Sequence, residues 1–371
     1  MATTPYPSTP IDFHRQLDPS ILKGRTALVT GGASGIGLSI VTALAEVGAH
    51  VTLVDIDAST GASVTETLKS QGLHVIFAEA DVTSWESQAK AFQRALRISP
   101  QQTIDIVVAA AGIKTQYASC FPVESAATDK EPKRPPTATL DVNLTGTYFT
   151  MSLAQHYFAR SPPHPAKQML FIASMAAYNQ STSPALSFDY TASKFGVRGL
   201  FHQVRRPELA ATRFGGARFN LLAPFFIASP MCPPEEVEEL VSVGWKVGDV
   251  EDVREGAKRC LTDHSIRGRV VVCCSGKGNG GGFGDANFDA GDDLEGGFGL
   301  PAVVERKGWF GSLEATAKRW VSFKPAQLGL HSILLASFLH IKDVAFEAFI
   351  RRNALTTEQA GVFGWSNPWY L

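Results

Sequence analysis

Thr30-Gly31-Gly32-Ala33-Ser34-Gly35-Ile36-Gly37 decides how the rest of this chain is read. It stands between an apolar run, Thr26 to Thr30, and a segment from Ile36 to Val47 whose apolar residues recur at helical spacing. A second apolar run, His50 to Val54, follows, and then a polar helical segment, Ala58 to Ser70. Strands separated by helical crossovers of this length run parallel, because a tight hairpin reverses the chain.

The alternation continues outward from there. Further strands are expected at Val75 to Ala78, Ile104 to Ala110, Gln168 to Ala173, Arg218 to Leu222 and Gly268 to Cys274, with helices near Ser84 to Ile98, Leu140 to Arg160 and Tyr190 to Leu209. The pattern predicts an α/β fold over 21–275: a Rossmann-like, doubly wound parallel sheet of seven strands with helices on both faces. Pro207 is expected to interrupt the helix that follows Tyr190. Residues 1–20, polar and Pro-containing, read as an N-terminal arm. The Gly- and Asp-rich, apolar-poor stretch 276–300 reads as a flexible linker, and 301–371 as a helical C-terminal extension.

With 371 residues, 44% hydrophobic and 19% charged, the chain can bury a large core. A formal net charge of -1 creates no pull towards phosphate polymers or acidic membranes, so small-molecule chemistry is expected and a nucleic-acid partner is not. The cysteines (Cys120, Cys232, Cys260, Cys273, Cys274) show neither zinc-type spacing nor a disulfide framework, which suits reduced thiols in the cytoplasm. Cys273 and Cys274 are neighbours on a strand and should point to opposite buried faces. Asp285, Asp289, Asp292 and Asp293 do not match a calcium-loop register, and no metal site is expected. The N-terminus has no basic stretch followed by an apolar one, so no secretory signal is read there. Leu328 to Ile341 is broken by His331, Ser332, Ser337 and His340 and falls short of the ~20 apolar residues a bilayer span needs.

Glycines at a strand-to-helix turn let the backbone approach a pyrophosphate, and the helix N-terminus offers unpaired N–H groups and a positive dipole end. Gly31, Ser34, Gly35, Ile36 and Gly37 are the residues so placed. Asp55 ends the second strand, where a carboxylate accepts hydrogen bonds from both adenosine ribose hydroxyls. It would repel a 2′-phosphate, and no Arg or Lys follows in Asp55-Ile56-Asp57-Ala58-Ser59, so NAD is the expected cofactor. Tyr190 and Lys194 are four residues apart on one helix face. A free tyrosine ionises near ~10, so a phenol that trades protons at neutral pH needs a cation close by.

In order, the glycine turn, Asp81-Val82, Ala110-Ala111-Gly112, Asn143, Ser174 and the Tyr190/Lys194 pair make the stretch from Leu22 to Ser275 resemble the short-chain dehydrogenase/reductase family. The resemblance implies that Asp81 and Val82 flank the adenine, that Ala111 and Gly112 lie against the cofactor ribose, and that Pro224, Ile227 and Ser229 approach the nicotinamide. It also implies that Tyr190 is the acid/base, that Ser174 orients the substrate oxygen and that Lys194 holds the ribose and lowers the Tyr190 pKa. Asn143 would bend its helix and hold a water joining Lys194 to solvent. The expected reaction is NAD-dependent oxidation of a secondary alcohol to a ketone. Two alternatives stand beside it: an NAD(P)H-dependent ketoreductase, and a non-catalytic nicotinamide-binding scaffold.

Three departures from the family pattern stand out. Ala110 replaces an asparagine, Phe225 replaces the glycine after Pro224, and the stretch from Ser174 to Tyr190 is a few residues longer than usual. The variable segments Lys114 to Pro136, Ala176 to Asp189 and Phe225 to Val247, the last with Phe225, Phe226, Met231 and Trp245, are apolar and suit a lipophilic alcohol or ketone. The chain looks similar to fungal members of secondary metabolism that act on terpenoid or polyketide intermediates. By resemblance, a homodimer or homotetramer through the helices of Asn143 and Tyr190 is expected.

Overall fold

Strands β1 (Thr26–Thr30), β4 (Ile106–Ala109), β5 (Gln168–Ile172), β6 (Arg218–Pro224) and β7 (Val270–Cys273) are buried along their whole length. A parallel sheet covered on both faces demands this, and it explains why these strands read as unbroken apolar runs. In the computed structural model, residues 11–114, 134–178, 188–242, 245–274 and 287–289 are described. With β2 (His50–Asp55) and β3 (Val75–Glu79), seven parallel strands lie in the order β3-β2-β1-β4-β5-β6-β7. An eighth, β8 (Asn287–Asp289), pairs antiparallel with β7, inside the stretch read from sequence as a linker. The extension expected over 301–371 and the first ten residues of the arm lie outside the described residues.

Alternate side chains of the strands feed two cores. Leu28, Val107, Phe171, Leu221 and Val272 pack against helices α3 (Trp85–Ile98), α4 (Thr147–Arg160) and α5 (Phe188–Val204). Val29, Val108, Ile172, Leu222 and Val271 pack against α1 (Gly35–Glu46) on the opposite face. Cys273 and Cys274 divide between these cores, Cys273 on the face of α1 and Cys274 on the other. Helix α2 (Ala58–Ser70) starts at Asp57, whose carboxylate accepts from the N–H groups of Ser59 and Thr60. After Val204 the chain breaks, and Pro207 opens α6 (Pro207–Arg213) at a position where its missing N–H costs nothing. Two more helices, α7 (Pro234–Ser242) and α8 (Val250–Thr262), follow β6, the second behind an Asp249/Asp252 capping box. No helix among the described residues is long and apolar enough to cross a membrane.

Candidate active site at the carboxyl ends of β1, β4 and β5

Strand order reverses between β1 and β4, the point at which doubly wound sheets open a crevice for ligands. Both turns at this point are built from backbone. Gly31 has φ +66°, and a Cβ there would lie 2.6 Å from the Ala111 Cα. At Gly37, in the first turn of α1, a Cβ would lie 1.9 Å from the Gly31 carbonyl oxygen. Ser34 caps α1 without a side-chain hydrogen bond, leaving the first-turn N–H groups for another acceptor. Ile36 packs half-buried against the β1/β2 core, and Gly35 faces the Ser229–Pro230 segment. The Asp55 carboxylate accepts from the Ala33 N–H at 3.0 Å and the Asp57 N–H at 3.1 Å, tying the end of β2 to the glycine turn. A glycine-rich turn with only small side chains, next to a helix N-terminus and a carboxylate, fits a dinucleotide.

The rest of the crevice is braced from behind. The Thr30 hydroxyl accepts from the N–H groups of Ala110 (3.2 Å) and Ala111 (3.3 Å), so a cross-sheet tie exists although Ala110 has no amide to make one. Asp81 accepts from both the backbone and the hydroxyl of Thr83. Val82 is buried against Gly146, and the fully buried Gln88 donates to the carbonyls of Val82 (2.6 Å) and Gly146 (2.9 Å). Gln88 thus joins the β3 exit to the helix region of Asn143. Nothing in its local sequence marks it, since a buried glutamine reads like any other helical residue.

Asn143 lies in a π-helical stretch, Asp141–Gly146, between a turn at Ala138–Leu140 and α4. Its Oδ1 accepts from the Ile113 N–H at 2.8 Å, and its Nδ2 donates to the Ile113 carbonyl at 3.0 Å and the Ser193 hydroxyl at 3.1 Å. Ser193 in turn donates to the Tyr190 carbonyl. The amide is therefore spent on bracing the β4 exit against α5. Both Asn143 Oδ1 and Lys194 Nζ border Gly112, where a Cβ would meet them at 3.3 Å and 3.7 Å.

Tyr190 and Lys194, both buried, come from the first turns of α5. Lys194 Nζ donates to the Ile172 carbonyl at 3.1 Å and lies 5.5 Å from the Tyr190 ring centre. Ser174 leaves β5 as the cap of a three-residue 3-10 turn, Met175–Ala177, with its hydroxyl near enough to the Tyr190 phenol to influence its ionisation. Burial raises the Tyr190 pKa, and the Ser174 hydroxyl opposes it. Burial alone brings Lys194 down to about 8. The sequence predicts a phenol made more acidic by the ammonium. In the protein without cofactor, desolvation dominates both groups and pushes each towards its neutral form.

Segment 225–242 forms the far rim. Phe225 continues the sheet ladder through its N–H to the Cys273 carbonyl at 2.9 Å. Among the described residues only Gln102 is a non-glycine with positive φ, so Phe225 carries no left-handed strain. Phe225, Phe226 and Trp245 form one aromatic cluster with centroids 4.5–5.6 Å apart. Buried Ile227 pairs with Gly248, and Ser229 pairs with Cys232 and lies over Gly35. The Met231 methyl stands 3.8 Å from the place a Gly112 Cβ would take. Lys114 Nζ is 2.7 Å from both oxygens of Glu236, fastening this segment to the β4 exit. Sequence reading passed over that pair, since 122 positions separate its members. The loop 115–133 and residues 179–187, both expected to line the pocket, lie outside the described residues; among the described residues no group of His, Cys, Asp or Glu could hold a metal ion.

Such a crevice, with a Ser at the exit of β5 and a Tyr and Lys at the start of α5, defines a dinucleotide-dependent oxidoreductase of the doubly wound class. A family model described as short chain dehydrogenase matches residues 25–239, and the chain belongs to that family. It is 38% identical over 297 residues to NADP-dependent dehydrogenase M3 of Phoma sp., covering 76% of this chain and 84% of that protein. It is 36% identical over 303 residues to 5'-hydroxyaverantin dehydrogenase of Dothistroma septosporum, covering 77% and 93%. Among solved structures it resembles the crystal structure of gox2181, with a TM-score of 0.57 at 26% identity, over 68% of this chain and 96% of that one. Membership makes the protein an oxidoreductase of alcohol groups that uses a nicotinamide cofactor, and its similarity to fungal members of secondary metabolism matches the expectation from sequence.

Proposed function

We propose that this protein oxidises a secondary alcohol on a lipophilic intermediate, of terpenoid or polyketide type, to a ketone, with NAD as acceptor. The observation that carries the reading is the meeting of the Ser174 hydroxyl, the Tyr190 phenol and the Lys194 ammonium at the exit of β5, beside Gly112. Ser174 orients the alcohol oxygen and Tyr190 takes its proton. Lys194 holds the ribose and, as an ammonium, favours the phenolate against the pull of burial. Asn143 would hold a water that joins Lys194 to solvent. The nicotinamide, when bound, accepts the hydride and in its oxidised form adds a positive charge to the cleft.

Gly31, Ser34, Gly35, Ile36 and Gly37 would receive the diphosphate, Asp55 the adenosine ribose, Asp81 and Val82 the adenine, and Ala111, Gly112, Ile227 and Ser229 the nicotinamide end. NAD rests on the charge of Asp55. The aromatic cluster of Phe225, Phe226 and Trp245 supports an apolar substrate. Two of the similar proteins are named NADP-dependent dehydrogenases, which favours NADP as the second reading. Exposed Tyr148 on α4 and Phe195 on α5 fit self-association through those helices.

A panel of lipophilic secondary alcohols, followed by NADH and NADPH absorbance, tests the assignment. We expect turnover with NAD favoured, and a Tyr190→Phe variant slowed by about 10²–10⁴-fold while its cofactor affinity is retained. Parent-rate turnover by that variant overturns the role of Tyr190, and tighter binding of NADPH than of NADH overturns that of Asp55.

A further inference from the structure

We propose that Arg198 is a positioning residue for this site: it clamps the turn carrying Ser174 onto the helix carrying Tyr190 and Lys194, and so fixes the serine hydroxyl relative to the phenol. The inference rests on the roles given above to Ser174 and Tyr190. Arg198 is four residues beyond Lys194 and eight beyond Tyr190, so all three share one face of α5. Its Nη1 donates to the Ala177 carbonyl at 2.9 Å, and its guanidinium carbon lies 4.2 Å above the Tyr178 ring.

Those two contacts fall on the last residue of the 3-10 turn and on the residue that closes it. A single turn of three residues has little stability of its own, because few hydrogen bonds repay the fixing of its dihedral angles. Inside it, the Ala176 N–H donates to the Ser174 hydroxyl at 3.1 Å, and the Ala177 N–H donates to the Ser174 carbonyl at 3.0 Å. The remaining contact of that hydroxyl with the sheet is long, 3.4 Å to the Pro224 carbonyl. Rotation of the turn would therefore move the Ser174 oxygen with little resistance from β6. Arginine suits the clamp because a planar guanidinium stacks on an aromatic face while donating from its edge, which an ammonium cannot do.

The test is a double-mutant cycle with R198M, R198K and S174A, reading kcat, KM, cofactor affinity and the pH profile. R198M should lower kcat about tenfold with cofactor affinity within about twofold, since a displaced positioning group acts on the reacting geometry. R198K, which keeps one donor, should recover part of the loss. In the S174A background R198M should cost nothing further, as expected of residues acting through one another. Ser174, from the exit of β5, and Lys194, from its own helix, face the Tyr190 phenol. Moving the Ser174 hydroxyl away removes an influence that holds the phenol pKa down, so the rising limb of oxidation should move to higher pH in R198M.

An equal loss from R198M in the wild-type and S174A backgrounds, or an unmoved pH profile, overturns the proposal and leaves Ser174 its role. Parent activity in S174A alone overturns the reading of the site instead. Should R198M not fold, the same cycle with R198K decides by the same results, with an expected loss of about threefold.

Discussion

The two halves of the crevice are made of different material. Around β1, β2 and β4 the walls are backbone: Gly31 against Ala111, Gly37 against the Gly31 carbonyl, and the Thr30 hydroxyl holding two main-chain N–H groups. Around β5, α5 and β6 they are side chains, among them a buried lysine, a buried tyrosine and an aromatic cluster. A backbone wall tolerates no added atom, whereas a side-chain wall titrates and yields by degrees. The difference teaches where this molecule is brittle and where it is tunable.

The sharpest way to break that comparison is Gly37→Ala. With 1.9 Å between the new Cβ and a carbonyl oxygen, the turn must move. We expect a loss of about 3 kcal/mol in a denaturant melt, at the upper end of overpacking, together with loss of cofactor binding. A variant that melts and binds like the parent would falsify the claim that this wall is rigid. Lys194→Met probes the other half. Burial lowers the ammonium from 10.5 to about 8, which at about 1.4 kcal/mol per unit is roughly 3 kcal/mol against the charged form. Between pH 8 and 10.5 the unfolded chain therefore binds more protons at this group, so its contribution to stability rises with pH across that window. The variant should be about 2 kcal/mol more stable than the parent at pH 7 and inactive, with the advantage shrinking towards pH 10. An advantage independent of pH would mean that the lysine is not buried as a charge.

Asp55→Asn gives the smallest expected effect and sharpens the boundary between the halves, because here a side chain serves the backbone wall. It keeps one acceptor oxygen where the carboxylate used two, one for the Ala33 N–H and one for the Asp57 N–H, and removes the charge. The ratio of NADPH to NADH dissociation constants should fall about tenfold. Titrations with both cofactors check it, and an unchanged ratio shows that the carboxylate does not face the ribose.

The backbone half was the more legible in sequence. Glycines needed for close approach, apolar runs for strands buried on both faces, and an aspartate ending β2 are local signals, and β1 to β7 fall within a few residues of where the pattern puts them. What the sequence hid depends on contacts between distant segments. The bend that the resemblance implies at Asn143 is a π stretch, but the partner of its amide, the Ile113 backbone thirty positions away, has no local signal. Strand β8 is three residues long and exists by pairing with β7. Helices α7 and α8 were legible and went unread: Pro234 in a first turn and the Asp249/Asp252 box are start signals, but a reading of 225–247 as pocket wall obscured the first. The side-chain half shows its residue types in sequence while keeping back their energetics, since burial of Tyr190 and Lys194 is a property of the packed molecule.

The fastening of Lys114 to Glu236 has a consequence for the firmness of the crevice walls. One jaw, where Gly31 meets Ala111, is welded, for its parts touch main chain to main chain. The opposite jaw, from Ile227 to Ser242, is fastened to the β4 exit by an ammonium–carboxylate hinge pin. Drawing that pin by removing either charge should loosen the second jaw and leave the first, its frame, where it stands.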